Sequence, residues 1–221
     1  MTELRELARK LLADGTVQIV IGYEEGPKCV RPSFARDAAG ADRLIFDDRC
    51  AHDLAAYLSP RRLPVKRQGR VAVVLKGCDA CALAGLVRES QIKREDVVVI
   101  GVRCGGVKAD PRSPGPLSES NVADRCRGCT VRTPTHVDHI VGPETAGHPG
   151  PSSRDARIAE IEAMSQEARW KFWMGHFERC TRCNACRQVC PLCFCERCLQ
   201  DKTQPQWLES SPHARANLAW H

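Results

Sequence analysis

The sequence predicts an α/β fold with a parallel-sheet domain, followed by a small, mainly helical ferredoxin-type module that binds a cluster. Three observations carry that prediction. Two β-branched runs, Val71–Leu75 and Val97–Val102, bracket a helical stretch, which is the order of a parallel βαβ unit. A C-x2-C-x2-C-x3-C-P run begins at Cys180, with the spacing of a bacterial ferredoxin segment. Between them, ADPRSPGPLSES (109–120) and GPETAGHPGPSSRD (142–155) are rich in Pro, Gly and Ser and read as linkers or long loops. The resulting division is 1–108 for the α/β domain, 109–155 for a linker-rich segment holding Cys126 and Cys129, and 156–221 for the helical module.

The elements follow in order. Leu4, Leu7, Ala8, Leu11 and Leu12 recur at helical spacing, and Gly15 supplies a stop. Val17–Ile21 is a short β-branched run that reads as a strand, and Leu44–Phe46 as another. His52–Leu58 reads as a short helix ending at Ser59-Pro60. Cys81–Glu89 is the helix between the two long strands, and Val137–Val141 is a further strand. Ser165 can cap a helix whose Trp170, Trp173, Met174 and Phe177 share one face, and core packing is the expected use of that stripe.

Composition narrows the function. With 221 residues and 43% hydrophobic content the chain can bury a core, so a fully disordered protein is excluded. The longest clean apolar runs are far too short for a bilayer, so no membrane span is expected. Glu3 and Glu6 stand where an export signal needs an apolar segment, and the expected compartment is the cytoplasm. A net charge of +6, few aromatic residues and no basic helix argue against nucleic acid. The basic run Arg61–Arg67 reads as a solvated loop.

Fourteen cysteines in such a compartment should not be disulfides, which leaves metal. Seven of them lie between Cys180 and Cys198. Cys180, Cys183, Cys186 and Cys190 form the ferredoxin run, in which two-residue gaps let a tight loop present thiolates while backbone N–H groups turn toward the sulfides. Zinc is the competing explanation, although zinc modules usually separate two C-x2-C pairs by a dozen residues or more. Cys193, Cys195 and Cys198 follow in a less regular pattern. In two-cluster ferredoxins the fourth cysteine serves the other cluster, so Cys190 can pair with Cys193, Cys195 or Cys198, or with the distant Cys126 and Cys129. One or two [4Fe–4S] clusters are feasible, with two favoured once Cys126 and Cys129 are counted.

The βαβ unit adds Cys78 and Cys81 after its first strand and Cys104-Gly105-Gly106 after its second. Parallel strands bring Cys78 and Cys104 to one sheet edge, where such folds bind ligands. A helix N-terminus there favours a thiolate at Cys78. Cluster ligation, a redox dithiol at Cys78 and Cys81, and simple packing all remain open. Cys29 and Cys50 have no partner pattern and read as structural. No histidine spacing marks a catalytic or metal site, and no phosphate-binding loop is present.

These residues resemble the coenzyme F420 hydrogenase/formate dehydrogenase beta-subunit family of iron–sulfur electron-transfer subunits. The resemblance is carried by KGCDACALAGLVRESQIKREDVVVIGVRCGG (76–106), by Cys126-x2-Cys129, and by ERCTRCNACRQVCPLCFC through QPQWL. It implies electron transfer within a cytosolic oxidoreductase complex, beside hydrogenase, formate dehydrogenase or heterodisulfide-reductase-like subunits. Similar proteins continue into a second C-x2-C-x2-C-x3-C-P segment, whereas this chain stops at SPHARANLAWH, as a truncated or split form would. A flavin is compatible with the resemblance, but no motif marks a flavin or F420 site. The alternatives are a zinc-binding interaction module and a thiol–disulfide protein centred on Cys78 and Cys81.

Overall fold

The computed structural model describes residues 2–59, 69–146, 153–198, 201, 204–206, 209 and 211–220. The basic run 61–67, part of the loop 142–155 and residues 207–208 of the QPQWL stretch lie outside the described residues. The chain divides into two compact units, Met1–Ser153 with Val189–Phe194, and Arg154–Gln188 with Cys195–His221.

The first unit is built on strands β1 (Ile19–Glu24), β2 (Arg31–Ala35), β3 (Leu44–Ile45), β4 (Val71–Leu75), β5 (Val97–Val102) and β6 (His139–Val141). Their order is β2-β1-β4-β5-β6, with β3 paired to β1. β1, β4, β5 and β6 run parallel, and β2 and β3 lie antiparallel to β1. Every residue of β4 and β5 is buried, which is why both read as continuous apolar runs rather than alternating ones. Each fully buried Val or Ile there contributes about 1.5–3 kcal/mol. β2 carries Pro32, and a strand at the end of the order tolerates a residue that cannot donate to a ladder.

Helix α1 (Thr2–Ala13) buries Leu4, Ala8 and Leu11 in this core, the face its periodicity marks. Asp37 Oδ1 accepts from Gly40 N at 2.7 Å and starts α2 (Ala38–Asp42). Asp53 does the same for a 3-10 turn, Leu54–Leu58, accepting from Ala55 N at 2.9 Å. Helix α3 (Gly77–Arg88) begins four residues before the expected Cys81. The side chain of Asp79 reaches back to Lys76, so the helix opens directly off β4.

The second unit is helical, with α4 (Ser153–Glu162), α5 (Gln166–Glu178), α6 (Ala185–Val189) and α7 (Ala214–Trp220). Ser165 caps α5 by accepting from Ala168 N at 3.2 Å. The aromatic stripe does not serve as core: Trp170 is 52% and Trp173 43% exposed. Its rings pack along the helix surface instead. Phe172 meets Trp173 and His176 edge-on at 5.0 and 4.6 Å, and the Arg157 guanidinium lies 5.0 Å over Phe172. No second apolar layer covers the tryptophans among the described residues. No described helix is long and apolar enough to cross a membrane.

Candidate iron–sulfur and thiol site

Because β4 and β5 are parallel, their carboxyl ends share one edge of the sheet, and the K-G-C-D and C-G-G sequences follow there. Lys76 and Asp79 are each 3% exposed. Burying two charges requires that they be paired and fully bonded. Lys76 Nζ lies 2.7 Å from Asp79 Oδ2 and donates to Tyr23 Oη at 2.6 Å and to His52 O at 2.8 Å. The Tyr23 hydroxyl donates to the same His52 carbonyl. These groups line a cavity of about 590 Å³ that also takes in Asp53, Cys78, Arg125 and Val189. Burial, and next the charge of Asp79, push the Asp53 carboxyl up to about 7.

Cys78 opens α3 on the cavity wall. Part of its surface meets solvent, yet the protein mass around its sulfur outweighs that exposure. Desolvation first, and Asp79 second, push its thiol up to about 12. Both act against the pull of the helix N-terminus on the Cys78 thiol, burial by removing solvent from the charged form and the Asp79 carboxylate by repelling it. Cys104 is also raised, chiefly by burial, with Cys126 among the charges that raise it further. Cys104 in turn contributes to the rise at Cys78. Cys126 Sγ accepts from Val107 N at 3.4 Å, and Cys129 N closes a turn onto Cys126 O at 3.3 Å.

The segment after Cys129 is seated on this edge. Cys104 N donates to Arg132 O at 3.0 Å. A Cβ on Gly77 would stand 1.7 Å from Val131 O, so only glycine lets that carbonyl lie against the helix start. Cys78, Cys104 and Cys126 thus lie near one sheet edge, with Cys129 in the turn that follows Cys126. The Val189–Phe194 segment belongs to the same unit: Val189 lines the cavity, Phe194 packs on the core and Leu192 covers Gly85. That places Cys190 and Cys193 in the first unit, and Cys180, Cys183, Cys186, Cys195 and Cys198 in the second.

In the second unit, Cys180 follows the end of α5, with its N–H donating to Phe177 O at 3.1 Å. Arg182 and Asn184, between the cysteines, have φ of 55° and 61°, a conformation L-residues seldom adopt. Residues of this kind turn a chain tightly, and tight turns of backbone N–H groups are the environment iron–sulfur clusters favour. Farther on, Arg187 pairs with Asp201 at 3.0 Å. Cysteine sulfurs are the donor type a [4Fe–4S] cluster takes, so the Cys180–Cys190 run suits such a cluster by its chemistry and spacing. Among the described residues, no three Cys, His, Asp or Glu side chains converge on a single metal position. Cys50 is fully buried and its thiol is pushed up to about 12 by desolvation, which suits a packing role; Cys29 and Cys81 are exposed.

Tyr23, Asp53, Lys76 and Asp79 were not indicated by motif reasoning. A signal was present for two of them, because Lys76 and Asp79 flank the point where a fully apolar strand becomes a helix.

No protein-family model matches the chain. Among curated proteins, the beta subunit of F420-dependent formate dehydrogenase 1 from Methanococcus maripaludis is 22% identical over 219 residues, covering 60% of this chain and 56% of its own length. The F420-dependent formate dehydrogenase beta subunit of Methanocaldococcus jannaschii is 23% identical over 231 residues, covering 67% and 59%. The chain resembles the F420-dependent formate dehydrogenase beta subunits. It spans a little over half the length of these beta subunits. Among solved structures, a chain of the F420-reducing [NiFe] hydrogenase complex from Methanosarcina barkeri aligns with 47% of this chain and 38% of its own, at 15% identity and a TM-score of 0.41.

Proposed function

We propose that the chain is an iron–sulfur electron-transfer subunit of a cytoplasmic oxidoreductase complex, working with hydrogenase-, formate dehydrogenase- or heterodisulfide-reductase-like subunits. F420 is the redox partner to test first, given the names of the curated relatives. The observation that carries this reading is the C-x2-C-x2-C-x3-C-P run in a loop that holds Arg182 and Asn184 left-handed. When bound, a [4Fe–4S] cluster supplies one-electron transfer at a potential set by burial and hydrogen bonds to sulfur.

Cys180, Cys183 and Cys186 are the first ligands, with Cys190 as the fourth of the motif. For a second cluster the candidates are Cys126 and Cys129 with Cys193, Cys195 or Cys198, and the parallel order of β4 and β5 supports considering Cys78 and Cys104 beside them. The proposed division of labour keeps 1–108 as scaffold, 109–155 as the segment that brings Cys126 and Cys129 to the sheet, and 156–221 as the ferredoxin-type module. Lys76, Asp79 and Tyr23 would hold the floor of the cavity rigid, and Asp53 would keep a proton there near neutral pH.

The experiment is anaerobic purification followed by iron, sulfide and zinc analysis, with EPR before and after dithionite. About eight irons per chain indicate two clusters and about four indicate one. Loss of cluster iron in Cys183→Ala and Cys186→Ala is expected, and full retention in both refutes the assignment. Zinc without iron in protein never exposed to air makes the chain an interaction module instead. The raised thiol at Cys78 counts against the thiol–disulfide reading, which needs an accessible thiolate.

A further inference from the structure

We propose that Asn217 is the positioning residue of the ferredoxin loop, its buried carboxamide fixing the path of the chain into and out of Cys180. The inference rests on the reading of the Cys180–Cys190 run as cluster ligands. Asn217 lies on α7, 37 positions from Cys180, and is 1% exposed. Its amide nitrogen donates to Phe177 O at 2.7 Å and to Cys180 O at 3.1 Å. Its Oδ1 accepts from Arg182 Nε at 2.7 Å. Both amide hydrogens and the oxygen of a buried side chain are thus spent on one loop. A second clasp supports the first, because Arg182 Nη1 donates to Glu209 O at 3.0 Å.

The geometry has a directional consequence. In a trans peptide, the carbonyl of one residue and the N–H of the next point opposite ways. Holding the Cys180 carbonyl toward Asn217 therefore turns the Thr181 N–H away from Asn217. The Cys180 N–H is already donated to Phe177 O, and the Phe177 carbonyl is also held by Asn217. The guanidinium bonds on Arg182 keep that residue at φ 55° against its intrinsic preference. Asn217 thus fixes the start of the turn that carries Cys180, Cys183 and Cys186. Hydrogen bonds from N–H groups to sulfur raise a cluster's reduction potential, and outer-shell partners of this kind hold metal ligands in place.

The test uses the full chain, reconstituted anaerobically, as wild type, Asn217→Asp and Arg182→Met. Asn217→Asp keeps the size and the acceptor for Arg182 but cannot make both donations. Iron and sulfide content come first, then the rate of iron loss to a ferrous chelator and the midpoint potential by EPR-monitored titration. Asn217→Asp is expected to lose iron roughly 10-fold faster or more and to shift the midpoint to a more negative value. Arg182→Met should move both in the same direction by less, and it carries the comparison if circular dichroism shows Asn217→Asp unfolded. Wild-type release rate and midpoint in the folded variants overturn the positioning role while leaving the cluster reading intact. A wild-type chain that takes up no iron and sulfide overturns both.

Discussion

Replacing Lys76 by Met tests whether the sheet edge is a satisfied polar core. The ammonium sits 2.7 Å from Asp79 with both side chains about 4% exposed, and it donates to Tyr23 Oη and His52 O. Met fills most of the volume but leaves the Asp79 carboxylate buried without its partner. Breaking a buried pair in this way costs about 3–5 kcal/mol, far more than the net worth of the pair itself. At a urea dependence of about 2 kcal/mol per molar, the midpoint should fall by roughly 1.5–2.5 M. Far-UV circular dichroism follows the loss. Adding Asp79→Asn to Lys76→Met removes the stranded charge and should recover part of the stability, a positive coupling in a double-mutant cycle. A loss below about 1 kcal/mol, or a double variant no better than the single, would mean the pair is solvated and the reasoning is wrong.

Three further predictions follow from the same edge. Asp53 has a folded-state pKa raised to about 7 from the ordinary carboxylate value of about 3.9. The folded state therefore holds this proton more tightly than the unfolded chain. Stability from this group is full below about pH 4, falls as pH rises from there to about 7, and is flat above. The stability of Asp53→Asn relative to wild type should accordingly rise between pH 4.5 and 8, and a constant difference refutes the assignment. Gly77→Ala must displace the Val131 carbonyl and should cost about 1–3 kcal/mol by urea unfolding; a neutral substitution would show that the 129–132 segment is not seated there. In metal-free protein, peptide mapping after iodoacetamide at pH 7.5 should find Cys78 labelled more slowly than exposed Cys29, and equal rates would return Cys78 to the thiol–disulfide reading.

What the sequence made legible was local. The apolar runs Val71–Leu75 and Val97–Val102 lie in a doubly covered parallel sheet, and nothing but burial on both faces sustains so many consecutive valines. Ser165 is visible as a cap because its job depends on the next three residues alone. β2 escaped because Pro32 reads as a break, and only its place at the end of the strand order makes it tolerable. The apolar pattern of Cys81–Glu89 leaves out the first turn of α3, because Lys76 and Asp79, polar in sequence, are buried together. The tryptophans misled in the opposite direction. Periodicity shows that Trp170 and Trp173 share a face, but whether that face finds a partner is a property of tertiary packing.

The same distinction separates the two groups of cysteines. The Cys180–Cys190 pattern is legible because it is a matter of local spacing alone, the one found in ferredoxin segments. The second group shares no spacing: Cys78, Cys104 and Cys126 are separated by about two dozen residues each, and only the parallel order of β4 and β5 brings the first two to one edge. That strand order was legible, so the approach of Cys78 to Cys104 was also legible. The seating of the 126–132 segment was not, because it depends on one missing Cβ at Gly77 and one backbone bond from Cys104 to Arg132. Thiol chemistry followed the same rule. A helix N-terminus promised a thiolate at Cys78, but its effect is modest and is overruled by desolvation together with the Asp79 carboxylate in the same first turn.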